Sequence, residues 1–573
     1  MMFNNLPSHF EDFAALKWDQ IEPYYRDLES RELTDASVAA WLTDWSRLQD
    51  ISGETYARLY VATTLNTEDQ AAIKQYQDFL VNIVEPAQPW EQKLKEKLLA
   101  SSLNPVGFEV QLKNMRVEAE IFREANVPLF TKERELSLKY QQLIGAQTVQ
   151  WEGQELTLTQ LGAKALNDDD REVRQDAWEK MSERRLADRE SLNSLWAEFL
   201  ELRLQMAKNA DFDSFRDFRW KQFGRDYTPE DCMTFHEAIE EVVVPAATRI
   251  YERQRKALGV ETLRPWDLVR DNIFPPSRPP LKPFDKIDDL VGKAEGIFNK
   301  VDPALGEHFS VMIRENLLDL DNRKGKAPGG YQITYDQVKR PFIFMNAVGQ
   351  HDDVQTLLHE GGHAFHAVES FRLPYSQQRN VPIEMCEVAS MSMELLAAPY
   401  LKASEGGYYT DADAARARIE HLEHLILFWP FMAVVDAFQH WVYANPTHSI
   451  DPAACDAEWD QLWQRFIPGV DWSGLDAARM TGWHRKLHIF EIPFYYVDYG
   501  LAQVGAVQVW RNALHDQAGA VSQYKAALAL GGTRTLPELF AAAGARFAFD
   551  AATLGELVDL VESTIGSLAK EIV

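Results

Sequence analysis

Hydrophobic residues recur at helical spacing along most of this chain, and only a few short stretches break the rhythm. From Asp12 to about Leu99, amphipathic runs rich in Ala, Leu, Glu, Lys and Gln predict an antiparallel helical region, punctuated at Thr34-Asp35, Ser52-Gly53 and Pro86. Around Thr148 to Leu158 the period shortens. Val149-Gln150-Trp151 and Glu155-Leu156-Thr157-Leu158 flank Glu152-Gly153-Gln154 and read as a short hairpin. Asp168-Asp169-Asp170 then opens a long helical tract to about Ala257, the acidic triplet suiting a helix N-terminus better than a metal site. Pro265, Pro275, Pro276, Pro279, Pro280 and Pro283 mark an extended loop joining two parts of the molecule. Helical pattern returns from Lys286 to about Leu317. After a glycine-containing loop, Arg340-Pro341-Phe342-Ile343-Phe344-Met345-Asn346 fits an edge strand, to which an extended peptide could add, and equally an ordinary buried strand. The pattern as a whole predicts a mainly α protein.

One helical stretch carries chemistry. In His359-Glu360-Gly361-Gly362-His363 the two histidines lie four apart, so on a helix they share a face and can reach one ion. Glu360, one step along, points away from the ion but can lean over a water held there, the division of labour of the H-E-x-x-H zinc peptidase motif. A helix is independently expected here. Asp352 reads as its N-cap with Gln355 three residues on, and Val354, Leu357, Leu358 and Phe365 are apolar at helical spacing. Gly361 and Gly362 oppose it, each costing about 1 kcal/mol relative to Ala. Close approach of a backbone or substrate would explain them, and so would tight packing against a neighbouring helix.

Composition narrows the class. The chain has 573 residues, is 46% hydrophobic and carries a formal charge of -28, which leaves no basic face for nucleic acid or an anionic membrane. Three cysteines, Cys232, Cys386 and Cys455, form no disulfide framework and suggest a reducing cytoplasm. The N-terminus lacks a signal-peptide pattern, and the apolar stretch Leu425 to Val435, broken by Pro430, is too short to span a bilayer.

A catalytic zinc takes three protein ligands and leaves a position for water. His366 shares the face of His359 and His363, but the three spread over about 10 Å of helix, too far for one ion. Glu369 stands where a metzincin would need His. A carboxylate from a second helix remains, and Ile383 to Glu394 offers Glu384, Glu387 and Glu394. The pairs His484/His488 and His421/His424 lack the accompanying Glu and make poor rivals for the metal.

Together these segments resemble the oligoendopeptidase F and thimet oligopeptidase family of zinc metallopeptidases, most of all its bacterial oligoendopeptidase F branch. The likeness rests on His359 to His366, on Glu387-Val388-Ala389-Ser390-Met391, on Gly329-Gly330-Tyr331, on His488 to Tyr499, on Asp436 to Trp441 with Tyr443, and on Leu530 to Phe549. It covers roughly residues 140 to 565. It implies a prolate helical body with a deep channel between two halves and a small β-sheet beside the zinc helix. A helical region over residues 1–115 would precede a peptidase region over 116–573, with the zinc site in 352–394 and a substrate-binding segment in 484–500. The resemblance further implies one Zn2+ per chain on His359, His363 and Glu387, Glu360 as general base, and Tyr499, His488 and Tyr496 as catalytic donors, Tyr499 foremost on the oxyanion. Gly329, Gly330, Tyr331 and Tyr495 would contact substrate. The expected reaction is endo-hydrolysis of short unstructured oligopeptides. A metallocarboxypeptidase is the alternative, and an inactive peptide-binding protein a more distant one, since no ligand or base is missing.

Overall fold

The computed structural model describes residues 2–166, 168–268 and 281–572. Helices dominate it, and sheet is confined to a two-stranded hairpin and one three-stranded sheet. The chain forms two compact units, each gathered from three segments: Met1–Glu120, Leu281–Ala414 and Ala502–Phe547 in the first, and Ile121–Pro280, Ala415–Leu501 and Ala548–Val573 in the second.

In the first unit the N-terminal helices close over a core built on Phe13, Trp41, Trp45, Leu94 and Phe108. Two expected breaks are absent. The helix Val38–Leu65 runs straight through Ser52-Gly53, because Ile51, Glu54 and Thr55 are buried on one face and Gly53 leaves room for Asp336, whose Oδ2 would stand 3.3 Å from an added Cβ. Pro86 does not end its helix either. A π-turn over Leu80–Val84 precedes it, and Pro86 lies in the first turn of the continuing helix Glu85–Ala100, where a missing N–H costs least.

The three-stranded sheet belongs to this unit and corrects the edge-strand expectation. Arg340–Ala347 is the central strand, antiparallel to Tyr331–Tyr335 and parallel to Leu318–Asp321. Pro341 is tolerated because it pairs only with Thr334, the parallel partner not beginning until Leu318 opposite Ile343. The edge therefore falls to Tyr331–Tyr335. Its start is shaped by Gly329, whose φ of +97° a side chain would rarely adopt, and its Tyr331 ring stacks on Phe344 at 4.7 Å while the hydroxyl meets Thr64 Oγ1 at 2.5 Å.

The second unit contains the expected hairpin, Thr148–Trp151 with Gln154–Thr157, turning on Glu152 and Gly153 at φ of 50° and 79°, as a two-residue I′-type turn requires. Asp170 caps the helix Arg171–Ala187 by accepting from the Glu172 N–H. Of the proline-rich segment, Pro265 opens a short turn, Pro265–Asp267, and Pro275, Pro276, Pro279 and Pro280 lie outside the described residues. The apolar run Leu425 to Val435 sits inside one long helix, Asp411–Ala444. That helix is long and apolar enough to cross a membrane by composition, yet 72% of its most apolar window is buried within the protein.

Candidate metal centre

The helix His351–Ser370 carries the H-E-x-x-H residues. Its N-terminus lies slightly earlier than Asp352: Gln350 is the N-cap, and the Asp353 carboxylate accepts the N–H groups of Val348, Gly349 and Gln350, each at 2.8 Å. Three donors outcompete the single bond Asp352 would have made.

Both explanations for the glycines are observed, side-chain packing at Gly361 and close approach of another backbone at Gly362. A Cβ on Gly361 would come within 2.6 Å of the Phe298 ring, and one on Gly362 within 2.6 Å of Ala389 O and Ser390 Cα. Gly362 thus lets the helix Ile383–Ala397 approach at backbone contact. That approach delivers Glu387. Its Oε2 stands 3.4 Å from His359 Nε2 and 3.7 Å from His363 Nε2, and the three ligand atoms form one of the clusters able to hold a metal ion. Ligands about 2.1 Å from a tetrahedral zinc lie about 3.4 Å apart, so the set fits zinc with little movement.

Neighbours orient each ligand. Glu394 Oε1 lies 2.7 Å from His359 Nδ1, which turns Nε2 toward Glu387 and answers which carboxylate serves that histidine. His363 is held by the Cys386 carbonyl, and the Ser390 hydroxyl donates to Glu387 Oε2 at 3.0 Å. Ser390 stands in the sequence as part of the Glu387 to Met391 motif, with no role of its own assigned to it there. His366 is buried, its Nε2 without a hydrogen-bond partner.

Electrostatics follow from burial and from three nearby carboxylates. Burial pulls His359 down, but the hydrogen bond and charge of Glu394, with Glu387 and Glu360, lift it to about 9 in the ion-free protein. Burial and His359 hold His363 down at about 3. Glu360 is pushed up to about 7, by burial first, against the pull of His359. Its carboxylate also accepts the backbone N–H of Gln332 on the edge strand. Glu387 is raised by burial.

The remaining predicted residues gather in the second unit. His488 lies in the short helix Leu487–Phe490, and Tyr496 and Tyr499 in the first turn of Tyr496–His515. Ring centroids of Tyr495, Tyr496 and Tyr499 stand 5.8, 4.8 and 6.0 Å from that of His488. The segment is pinned from below. Fully buried Arg203 donates to the Ile489 and Phe490 carbonyls, and Arg225 bonds both the Phe494 carbonyl and Asp498. Phe494 itself takes a φ of +67°, a strained value held by its N–H bond to Gln439. Burial lowers His488 to about 4, so the ring is neutral near pH 7, and its Nδ1 has no hydrogen-bond partner. Of the rival pairs, His484 is engaged with Asn193 at 2.8 Å, and neither pair belongs to a metal-type cluster among the described residues.

Known proteins share sequence and fold with this chain. Over 384 residues the chain is 21% identical to an oligoendopeptidase F homolog of Borreliella burgdorferi, covering 64% of this chain and 61% of that protein. Over 238 residues it is 24% identical to the chromosomal oligoendopeptidase F of Lactococcus lactis subsp. cremoris, covering 40% of this chain and 36% of that one. The chain therefore spans less than two thirds of the length of these curated relatives. Among solved structures, one described as an oligoendopeptidase F superposes with a TM-score of 0.87 at 28% identity over the whole of both chains. An inhibitor-bound PZ peptidase A superposes with a TM-score of 0.86 at 26% identity, over 99% of this chain and 100% of that one. The family model for peptidase family M3 matches residues 165–558, a stretch that contains both histidines, Glu360, Glu387 and the His488 to Tyr499 segment; the chain belongs to that family.

Proposed function

We propose that this protein is a zinc-dependent endopeptidase that hydrolyses internal bonds of short, unstructured oligopeptides. The observation that carries the reading is the convergence of His359, His363 and Glu387 at tetrahedral spacing, with a further carboxylate, Glu360, beside them and not needed as a ligand. One zinc ion per chain held there would acidify a water and polarise a substrate carbonyl.

The protein's own groups do the rest. Glu360, tuned by burial to about 7, takes a proton from the attacking water and passes it to the departing amine nitrogen. Glu394 fixes the His359 ring, and Ser390 fixes the Glu387 carboxylate, so the ligands do not reorganise during turnover. Tyr499 and His488 serve as hydrogen-bond donors to the carbonyl oxygen as it turns negative, with Tyr496 supporting them; the motif and the clustering of these rings support this role. Gly329, Gly330, Tyr331 and Tyr495 contact the substrate backbone. The outer edge of Tyr331–Tyr335 is the candidate docking edge, since no described strand pairs with it and its Gln332 N–H is directed at Glu360. Residues 1–115 support this region and 116–573 carry the chemistry. Unpaired Cys232, Cys386 and Cys455 suit a reducing cytoplasm.

The test is cleavage of an internally quenched peptide blocked at both ends, by the wild type and by Glu360→Gln, with metal content measured on both. We expect the wild type to cut it, and the variant to keep its metal while losing about 10²–10⁴-fold in rate. A zinc-loaded wild type that spares the blocked peptide and cuts only one with a free C-terminus would replace this reading with a carboxypeptidase.

A further inference from the structure

Acidic residues outnumber basic ones in this chain, 87 to 59, so a group of cations without acidic partners stands out. On the helix Arg171–Ala187 of the second unit, Arg184 is paired with Asp188 at 2.9 Å, and Arg189 just beyond it with Asp456. Arg185, between them, is not. The charge acting on it is another cation, Arg485, which closes the turn Gly482–Arg485 and is followed by Lys486. No carboxylate offsets Arg185, Arg485 or Lys486 among the described residues. Lys486 Nζ lies over the Tyr496 ring, 3.7 Å from its centroid, and its charge bears on His488 two residues on.

We propose that Arg185, Arg485 and Lys486 form an anion-binding subsite that takes a carboxylate of the substrate peptide, either its C-terminus or an acidic side chain; the assignment rests on the endopeptidase reading above.

Three observations support it. Arg185 and Arg485 line one cavity, with Gln147, Ser182 and Thr481 as polar walls and Trp178 as an apolar one. Two guanidiniums sharing a cavity repel each other, and an anion between them turns that repulsion into attraction. The group also lines a recess. Arg485 keeps solvent access, yet the surrounding protein pulls its guanidinium below the usual range; burial first, and Arg485 second, bring Arg185 down to about 9 and Lys486 to about 7. A cation on a convex surface would be hydrated on all sides and shift little. Access combined with desolvation lets a ligand enter and strengthens the charged hydrogen bonds it makes there. Finally, place and chemistry agree. A guanidinium matches a carboxylate through two parallel N–H···O bonds, and a peptide substrate brings carboxylates with it. Three peptide units separate Arg485 from His488, so their Cα atoms are at most about 11 Å apart, roughly three residues of extended peptide. A peptide whose carbonyl meets His488 and Tyr499 passes within reach of the subsite.

The test uses internally quenched peptides that differ only in charge. One is uncharged and ends in an amide, a second has the free C-terminal carboxylate, and a set keeps the amide but exchanges Gln for Glu at one position at a time. Each is cleaved by the wild type, by Arg185→Gln, by Arg485→Gln and, as a control, by Arg249→Gln, which removes an exposed arginine of the same unit. We expect wild-type kcat/KM to be about 10–100-fold higher for the free acid, or for one of the Glu peptides, than for the uncharged peptide; which of them is preferred identifies the carboxylate. That ratio falls toward one in Arg185→Gln and Arg485→Gln and keeps its wild-type value in Arg249→Gln. Equal wild-type kcat/KM across all the peptides overturns the proposal without recourse to any variant, and so does a preference that survives both substitutions. In both of those cases cleavage of the uncharged amide leaves the endopeptidase reading standing, whereas a wild type that cuts only the free acid retains the subsite and removes that reading.

Discussion

Two histidine clusters, each shared between facing helices, differ most in access. In the first unit His359 and His363 face Glu387 from a second helix; in the second, Cys232 and His236 face Asp436 and His440. The first stays partly open, with the His359 and His363 side chains 27% and 19% exposed, and it keeps a spare carboxylate, Glu360, beside the ligands. The second is buried, with Trp220 and Phe494 against His440 and His236 hydrogen-bonded to Asp436 at 2.9 Å. Burial decides what such a pairing can do: a sealed cluster can only hold its own groups in place, whereas one left partly open can admit a further ligand.

The contrast can be broken or sharpened by experiment. Tyr499→Phe is expected to lower kcat on the blocked peptide by about 10²–10³-fold with little change in KM, while metal content stays unchanged. A variant with wild-type kcat would remove Tyr499 from the reaction. Glu394→Gln loosens the hold on His359, and we expect metal affinity of the open site, read by chelator competition, to fall by about 10–100-fold. An equal fall in melting temperature of the metal-free protein would mean that the substitution acts through folding.

The pH dependence has a definite sign. With His359 at about 9 in the ion-free protein, an incoming ion must displace a proton at any lower pH. Apparent affinity of the open site should therefore rise by about tenfold per pH unit toward pH 9 and level off above it. Affinity independent of pH from 7 to 9 would show that Glu394 does not lift His359. Gly362→Ala is the mildest case. Its Cβ would meet Ala389 O at 2.6 Å, and forcing the helices apart should cost about 1–3 kcal/mol of stability. A melting temperature at or above wild type would show that the close approach is not required.

Much of this was legible without coordinates. Helical periodicity marked most elements, Asp170 was readable as a helix start, and Glu152-Gly153 as a hairpin turn. The misreadings share a cause. Ser52-Gly53, Pro86 and Pro341 are local breakers whose effect was overridden by their surroundings: buried neighbours with space for Asp336, a preceding π-turn, and a missing partner strand. The N-cap moved from Asp352 to Gln350 because Asp353 collects three N–H donors that only the folded loop presents.

The sequence alone determined the face shared by His359 and His363, and that shared by Asp436 and His440, because helix geometry ties any residue to the one four positions on. It also placed Glu360 beside the first pair. Tertiary structure decided everything that depends on two helices meeting. The placing of Glu387 beside both histidines while Glu394 meets His359 from the other ring nitrogen, the use of Gly362 to admit a neighbouring backbone, and the meeting of Cys232 with His440 across more than 200 residues of chain are matters of packing, and packing distances are set by side chains far apart in sequence.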